Sequence, residues 1–386
     1  MKKILMMAAF AAAGAAFTAC SSDDTLATQQ TPEAPVVKGT PFKVSAFAEG
    51  TTRATRYNSD AWGTDGTSEK VTMFKLYGKQ GTNDPWMKNA IFTRAATSTD
   101  WAPIRDQNEA LSEINWPTAD TETNTSFYAI TDNAFGSGDA IANVSEWQNT
   151  EGSLVYTLPT KTSNILWYTN NSYDYYNDVY NEYTYVDASK LNDVMVASKN
   201  TNEEDCNGTV ALDFKHILGG FKISAMFVSD AEKANTASAT VKSVMVCGLD
   251  GEGTYTFGGT PTPWSTNTKV NYYYELPSPI QFNAEAESGT HTPVDLFAHG
   301  TWLALPQTTT AWDESASGGY PTTGAYIALR IHDSTYDLDY ILCYPLTITI
   351  EAAKSKKIVI NIADGRDPFD SNAAYFYTPA TSVVTG

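Results

Sequence analysis

Alternation of apolar and polar residues is the clearest pattern in this chain of 386 residues. Near its start, the apolar positions of one face are Phe42, Val44, Ala46 and Ala48. Polar residues such as Lys43 lie between them, so the segment predicts a first strand with one buried face. Similar runs predict further strands at residues 71–77, 126–130, 154–158, 210–214, 221–227, 244–246, 327–331, 346–350 and 358–362.

The connections between these runs carry turn residues. Gly219 and Gly220 separate two alternating runs and predict either a hairpin or a corner. Residues 351–357 predict a hairpin loop between the last two strands, and the helical signal is confined to a short stretch at residues 106–114. Short strands between closely spaced turns favour an all-β protein made of antiparallel β-sandwiches.

The length of the chain suggests more than one domain, since domains usually hold about 150 residues. A polar, acidic stretch with few apolar residues, at residues 202–208, marks the predicted boundary. It divides the chain into an N-terminal β-sandwich at residues 41–206 and a C-terminal β-sandwich at residues 207–386. Residues 21–40 are rich in Ser, Thr, Gln and Pro and predict a flexible tether.

Composition narrows the class of protein. Hydrophobic residues make up 42% of the chain, which is enough for packed cores and too much for a mostly disordered protein. The chain has 25 Lys and Arg against 44 Asp and Glu, which gives a formal net charge of −19. Nucleic-acid binding and polybasic binding to membrane surfaces both need clustered basic residues. The charge argues against both, so nucleic acid is not an expected partner.

The first twenty residues have the pattern of a secretion signal. Two lysines precede an apolar run at residues 4–16, which is too short to span a bilayer, since a spanning helix needs about 20 residues. The run ends in Phe17, Thr18, Ala19 and Cys20, which resembles the lipobox of bacterial lipoproteins. Residues 1–20 are therefore predicted to be a lipoprotein signal peptide that leaves Cys20 lipidated. The alternative is an ordinary cleaved signal with an incidental cysteine.

Catalytic and metal-binding motifs are missing from the sequence. The four histidines, His216, His291, His299 and His332, lack the spacing of a metal site. No nucleophile elbow, phosphate-binding loop or dinucleotide-binding fingerprint occurs. We therefore predict no enzyme activity, no metal and no cofactor.

Three cysteines remain besides Cys20. Cys206, Cys247 and Cys343 are odd in number and form no CxxC motif, so they do not make a disulfide framework. One bridge is compatible with an oxidising compartment, and the sequence does not choose its pair. Cys247 and Cys343 lie in apolar runs, which favours small buried core residues.

Two segments combine aromatic rings with polar residues and are predicted to be aromatic loops. The first, at residues 168–185, offers Tyr173, Tyr175 and Tyr176 among Asn and Asp, and the second runs from Trp264 to residue 274. Such rings stack on sugar faces or on protein partners, so these four residues are candidate ligand contacts. The alternative is that the rings cap the ends of the sandwiches.

An exposed loop and several short motifs carry a family resemblance. Residues 51–56 are polar and hold two arginines, which predicts a loop that proteases can reach. In chain order, the motifs are Ser21 to Asp24; Thr52, Arg53 and Ala54; Trp116 and Pro117 ahead of Phe127, Tyr128 and Ala129; residues 193–197; Leu212 to His216 followed by Phe221 to Ile223; and Leu305, Pro306 and Gln307 ahead of Tyr326. In these motifs the chain resembles the Bacteroidetes fimbrillins, the FimA/Mfa-like subunits of type V pili. The resemblance implies two tandem transthyretin-like antiparallel β-sandwich domains.

The resemblance also implies how the protein assembles. Fimbrillin precursors reach the cell outer membrane as surface-exposed lipoproteins, anchored by acyl chains such as palmitate at the position of Cys20. An Arg-specific protease then cuts beyond the first strand, for which Arg53 is the better match and Arg56 the second. The strand with Phe42 and Val44 leaves, and a strand of another pilin subunit fills the groove. The implied function is that of a structural or adhesive fimbrial subunit assembled by donor-strand exchange.

Several alternatives stay open at this point. The donor strand is expected at residues 373–386, but Pro379 interrupts that segment, and the stem, tip and anchor positions of a pilus are not separated. Both arginines are also compatible with ordinary loop residues, in which case Cys20 keeps the protein anchored. A second hypothesis is a monomeric surface lipoprotein that binds glycans through the aromatic loops. Host or bacterial surface proteins or glycans are the partners to consider beyond other subunits.

Overall fold

Strands dominate the structure. The computed structural model describes residues 39–48, 73–81, 86–95, 98, 100–104, 114–117, 123–132, 144–145, 152–166, 180–187, 191, 194–226, 239–257, 264–281, 293–297, 301–313, 323–334, 338–362 and 382–384. In chain order, the strands are β1 Lys43–Ala48, β2 Met73–Gln80, β3 Met87–Thr93, β4 Ala102–Ile104, β5 Thr125–Asp132, β6 Val144–Ser145, β7 Ser153–Thr157, β8 Thr160–Leu166, β9 Tyr180–Asp187, β10 Val194–Thr201, β11 Thr209–His216, β12 Gly219–Met226, β13 Ala239–Thr256, β14 Trp264–Gln281, β15 Val294–Asp295, β16 Trp302–Ala304, β17 Gln307–Thr308, β18 Tyr326–Asp333, β19 Leu338–Pro345, β20 Thr349–Ile350, β21 Ser355–Asn361 and β22 Ser382–Val384. The predicted all-β class is confirmed, while the predicted helix at residues 106–114 lies outside the described residues except for Ile114, which is not helical.

The strands follow the alternation that predicts them. β11 is the clearest case, because Val210, Leu212 and Phe214 are buried. Ala211 and Asp213, which lie between them, are exposed. Successive side chains of a strand point to opposite faces, so one face of β11 packs on apolar residues while the other meets water.

The strands form three large sheets. The first has seven strands in the order β1-β11-β10-β5-β2-β3-β4. The second has eight strands, with the order β19-β18-β13-β14-β9-β8 and with β7 and β6 added beside β13. The third has five strands, with the order β15-β12-β21-β22 and with β16 beside β12, and β17 pairs separately with β20. Most pairs are antiparallel, as predicted, but β1–β11, β12–β21 and β9–β14 are parallel.

The seven-stranded sheet curls around its own core. The buried residues of this core are Phe42, Val44, Phe74, Leu76, Met87, Phe92, Trp116, Phe127, Ala129, Met195, Ala197, Val210, Leu212 and Phe214. Four strands separate β1 from β3 in the sheet, yet the Phe42 ring lies 6.0 Å from the Phe92 ring. Strand twist and curvature therefore bring the two ends of the sheet together over one apolar interior.

A second core lies between the eight-stranded and the five-stranded sheet. Val244 and Leu329 of the former and Phe221 and Ile358 of the latter belong to one buried cluster. Ile130 of the seven-stranded sheet belongs to the same cluster, from the face that points away from Phe42. The described strands thus form a β-sandwich whose core continues into the curled sheet, and Gly39–Gly386 make one compact unit.

Strand pairing crosses the predicted domain boundary. β11 lies after the boundary and pairs with β10, which lies before it. β7 lies before the boundary and pairs with β13, which lies after it. Each half therefore contributes to sheets of the other half, and the division into domains at 41–206 and 207–386 stays a prediction.

β11 and β12 meet at a corner. Ile217 and Leu218 are the two residues between them, and the strands belong to different sheets. β12 begins at Gly219, where an added β-carbon would lie 2.3 Å from the carbonyl oxygen of Glu351, so a larger residue does not fit there. The corner, one of the two predicted alternatives, is confirmed.

The predicted hairpin of residues 346–350 and 358–362 is wrong. β20 pairs with β17, whereas β21 pairs with β12 and β22. Between them, Ala353 has a φ of 59° and donates its N–H to the carbonyl of Leu218 at 2.8 Å. This turn leads the chain from one sheet into the next, and its hydrogen bond to Leu218 fixes it against the corner.

The Leu-Pro-Gln motif has a structural role in the sandwich. The Gln307 side chain accepts the N–H of Asp250 at 2.7 Å and donates to the carbonyls of Leu305, at 3.1 Å, and of Asp250, at 3.4 Å. Asp250 lies at an irregularity of β13, where the register with β14 shifts. The amide of Gln307 therefore satisfies backbone groups that the strand ladder leaves without a regular partner.

We expect Gln307→Leu to lower the free energy of unfolding by about 1–3 kcal/mol, because the largely buried N–H of Asp250 loses its acceptor. Urea denaturation measures this change. Thr308→Ala is the matched control on the same short strand, since Thr308 is exposed and its loss should cost less than about 0.5 kcal/mol. Equal effects of both substitutions would contradict the role assigned to Gln307.

Candidate functional site

The candidate site is the groove that holds β1, which we call the leading-strand groove. Its floor and walls are β11, residues 114–116 and the rings of Trp86, Phe92 and Phe127. β1 runs parallel to β11, in a register that places Val44 opposite Val210. The predicted strand at this position is therefore present and paired.

Side chains of β1 alternate between the groove and the solvent. Phe42, just ahead of β1, is 5% exposed and Val44 is 8% exposed, whereas Phe47 is 49% exposed. Ala46 packs partly buried against the same core, and the backbone of Ala48 lies in register with Phe214. The inward face of the strand is the one that the alternation predicts.

Phe42 is the anchor of this strand. Its ring contacts four others, with centroids at 5.2 Å for Trp116, 5.5 Å for Trp86 and Phe127, and 6.0 Å for Phe92. Aromatic pairs at such distances add about 0.5–1.5 kcal/mol each beyond the burial of their area. The leading strand therefore fills the centre of the aromatic cluster that the curled sheet encloses.

The Trp-Pro motif holds the opposite edge of the leading segment. Phe42 donates its N–H to the carbonyl of Ile114 at 2.7 Å, and Trp116 donates its N–H to the carbonyl of Thr40 at 2.9 Å. The indole Nε1 of Trp116 donates to the carbonyl of Gly208 at 3.2 Å, and Lys43 donates its N–H to the same carbonyl at 3.1 Å. Trp116 thus joins both walls of the groove around the start of β1.

Loss of β1 would leave the groove chemically incomplete. Burial of a Phe or Val side chain stabilises by about 1.5–3 kcal/mol, and this contribution of Phe42 and Val44 would be lost. The edge of β11 would lose a row of hydrogen-bond partners at the same time. A strand with the same alternation is the kind of molecule that restores both, so the groove is a candidate site for strand addition.

The processing and lipidation residues fall outside the described residues. Cys20, Arg53 and Arg56 all belong to this group. In the sequence, Arg53 follows the end of β1 at Ala48 by five residues. Their predicted roles stay predictions.

The first aromatic segment is in part a strand. Tyr173, Tyr175 and Tyr176 lie outside the described residues, between β8 and β9. Tyr183 belongs to β9, and its hydroxyl accepts a hydrogen bond from Asn271 Nδ2 at 2.6 Å. Burial raises the pKa of Tyr183 to about 12. This tyrosine therefore links β9 to its neighbour β14 within the eight-stranded sheet.

The second aromatic segment is not a loop, which corrects that prediction. It forms β14, which pairs along its length with β13. The Trp264 ring packs 5.3 Å from that of Tyr255, and its indole N–H donates to the carbonyl of Ile217 at 3.0 Å. Tyr272 is fully buried and donates to the carbonyl of Leu303 at 3.1 Å. The contact of Trp264 with a ligand stays a prediction.

The remaining candidate chemistry is structural. Cys206, Cys247 and Cys343 are free thiols, and the predicted burial of Cys247 and Cys343 is confirmed. Burial raises the pKa of the Cys247 thiol to about 12. In the part of the chain that the structure describes, His, Cys, Asp and Glu form no group of three that could hold a metal ion. The same residues include no helix long and apolar enough to cross a bilayer.

Comparison with known proteins gives distant structural neighbours. No family model and no curated protein matches the chain. A solved candidate cell adhesion protein of Bacteroides eggerthii has a TM-score of 0.42 at 12% identity, over 86% of this chain and 90% of its own. One from Bacteroides ovatus has a TM-score of 0.41 at 11% identity, over 84% and 92%. The fimbrial anchor protein Mfa2 of Porphyromonas gingivalis has a TM-score of 0.36 at 8% identity, over 89% and 99%.

The names of these neighbours describe those proteins, which are 8–12% identical to this chain. At such identities and TM-scores, the neighbours transfer neither fold details nor activity to this chain. Its function is therefore inferred from the leading-strand groove itself.

The anchor role of Phe42 has a test with a control on the same strand. We expect Phe42→Ala to lower the free energy of unfolding in urea by about 3–5 kcal/mol, because it empties the centre of the aromatic cluster. Phe47→Ala removes the same side chain from an exposed position and should change stability by less than about 1 kcal/mol. Similar losses in both variants would show that Phe42 does not anchor the strand.

Alkaline pH should weaken the fold through its buried phenols. Burial raises the pKa of Tyr183 and of Tyr273 to about 12, from 10.0. Their contribution to stability is complete below pH 10 and is lost as the pH rises toward 12, because only the unfolded chain ionises readily in that window. Urea denaturation at stepped pH should show this loss, and Tyr183→Phe should reduce its slope. An unchanged slope would contradict the assignment.

Proposed function

We propose that this protein is a fimbrillin-like structural or adhesive subunit of cell-surface pili, assembled by donor-strand exchange after proteolysis. One observation supports this most directly. β1 closes the end of a curled sheet, with Phe42 buried among four rings and one edge bonded to β11. The core needs a strand in this position, and strand addition supplies one from another subunit.

The place of β1 in the chain favours its release. The predicted signal peptide and tether precede it, and the segment with Arg53 and Arg56 follows it. A cut after either arginine ends the covalent link between β1 and every later strand. What then holds β1 is its ladder with β11 and its inward side chains, and a competing strand offers the same kinds of contact.

The proposal includes a location at the cell surface. Acylation of Cys20 anchors the precursor in the outer membrane, since several acyl chains bind a bilayer firmly. Cleavage allows β1 to leave with the lipid anchor. Its departure frees the subunit from the membrane and exposes the groove at the same time. An uncut copy stays on the membrane, which is the position of an anchor subunit, and cut copies are able to join a fimbrium.

Limited proteolysis tests the proposal on the full chain. We expect an Arg-specific protease to cut after Arg53 or Arg56 and the cut protein to form a ladder of SDS-resistant oligomers. Mass spectrometry of the new N-terminus identifies the cut, because it begins at Ala54 or at Tyr57. Native cell-surface protein with the same N-terminus would show that the cut occurs in cells.

The double variant Arg53→Ala/Arg56→Ala is the matched control. It should remain uncut at this position and monomeric under the same treatment, with unchanged stability in urea. A clean cut that leaves only monomers would contradict strand exchange. Retention of the uncut monomer on a polysaccharide column would instead favour the glycan-binding alternative.

A further inference from the structure

Two strands of this chain have nearly the same sequence. Residues 42–47 read Phe-Lys-Val-Ser-Ala-Phe, and residues 221–226 read Phe-Lys-Ile-Ser-Ala-Met. Phe, Lys, Ser and Ala are identical, so four of the six positions agree. The other two positions exchange similar apolar side chains. The first segment overlaps β1, from Lys43 to Phe47, and the second lies in β12.

The structure gives the two segments equivalent neighbours. β1 runs parallel to β11, and β12 runs parallel to β21. The β-branched residue of each lies opposite another β-branched residue, in the pairs Val44–Val210 and Ile223–Ile358. The alanine of each lies opposite a larger side chain, in the pairs Ala46–Leu212 and Ala225–Ile360.

The phenylalanine of each segment occupies an aromatic cage that includes a buried tryptophan. Phe42 lies 5.2 Å from Trp116, and Phe221 lies 5.8 Å from Trp302. Trp116 is 3% exposed and Trp302 is fully buried. Both tryptophans belong to segments that run antiparallel along the other edge of the strand. In both grooves, the strand therefore presents a phenylalanine, a β-branched residue and an alanine at equivalent inward positions.

Only one of the two strands is able to leave. β12 is joined to β11 by two residues and is paired along its other edge with β16 and β15. Within the described residues, the second edge of the leading segment is bonded only around Pro41. β12 therefore stays in its groove, and its side chains show which pattern of residues such a groove holds.

From this repeat we infer the partner that the leading-strand groove takes up. It is a strand of another protein chain that carries an aromatic residue, a β-branched residue and an alanine at alternate positions and that runs parallel to β11. The residues between these three face away from the groove and do not select the partner. This inference rests on the proposed strand exchange and adds the recognition pattern to it.

The alanine position is the selective one. Ala46 lies partly buried in register with Leu212, and its counterpart Ala225 is fully buried, so a larger side chain would crowd neighbouring packed residues, which is destabilising. The aromatic position supplies most of the buried area, since the cage of Phe42 holds four rings. Selectivity therefore combines a large anchor with a small residue four positions later.

Labelled peptides test the inference on the full chain after cleavage at Arg53 or Arg56. If these arginines resist, a protease site inserted within residues 49–72 provides the same cut. Fluorescence anisotropy measures binding of two labelled peptides, one with residues 40–48 and one with residues 219–227. We expect both to bind the cut protein within about 10-fold of each other and neither to bind the uncut protein.

Substituted peptides separate recognition from general stickiness. In the peptide with residues 219–227, Phe221→Ala and Ala225→Leu should each weaken binding at least about 10-fold, because both face the groove. Lys222→Thr is the matched control at an outward position and should leave the affinity within about 2-fold. Equal binding of all these peptides would overturn the recognition pattern.

The two peptides also distinguish failure of the recognition pattern from failure of strand exchange itself. Binding of the peptide with residues 40–48 but not of the peptide with residues 219–227 would overturn the shared pattern and leave strand exchange standing. If the peptide with residues 40–48 fails to rebind, the groove does not accept strands in exchange. The proposed assembly and the inference would then both fall.

Discussion

The N-terminal part of this structure depends on the contacts of the buried Phe42 ring. A sheet of seven strands that curls on itself has to fill its interior, and here the centre is filled by a ring from the leading segment. The rings around it come from strands or segments far apart in the chain, including Trp86, Phe127 and Trp116. Without that ring, these side chains would surround a cavity, and cavities in protein cores are costly.

The same arrangement occurs twice, with different consequences. In both grooves a strand runs parallel to its partner strand, which is β11 in one case and β21 in the other. A parallel pair needs a long connection, so the two partners are always distant in sequence. β12 is fixed by its short link to β11, whereas β1 has the predicted tether on one side and an arginine-bearing segment on the other. One architecture therefore provides a core strand fixed by its connections and, in the proposed assembly, a strand that is replaced.

The alternation of apolar and polar residues predicts local structure, namely where strands lie and which of their faces is buried. The strands at β1, β11 and β18 agree with their predicted positions, and β1 and β11 show the alternation most clearly because each buries one face. Alternation does not predict strand pairing, since a repeat of two residues reveals which face of a strand is buried but not which strand lies beside it. The hairpin predicted around residues 351–357 failed for that reason. The run Tyr272 to Tyr274 looked like a polar loop because β14 buries rings on both of its faces.

Parts of the candidate site were also visible in the sequence. The buried face of β1 and the Trp-Pro and Leu-Pro-Gln motifs were recognised, although their contacts were not. The six-residue repeat that begins at Phe42 and at Phe221 is also present in the sequence, but only the equivalent registers of the two strands give it meaning. Cys20, Arg53 and Arg56 stay at the level of the sequence, since they lie outside the described residues.

The parallel orientation of β1 and β11 has a mechanical consequence. A pull on the chain ahead of residue 39 draws β1 along its own length, while β11 is held in the sheet by its pairing with β10. The two strands are then loaded lengthwise, so that all hydrogen bonds between them share the strain at once instead of opening one by one. This geometry suits a protein whose leading end bears traction.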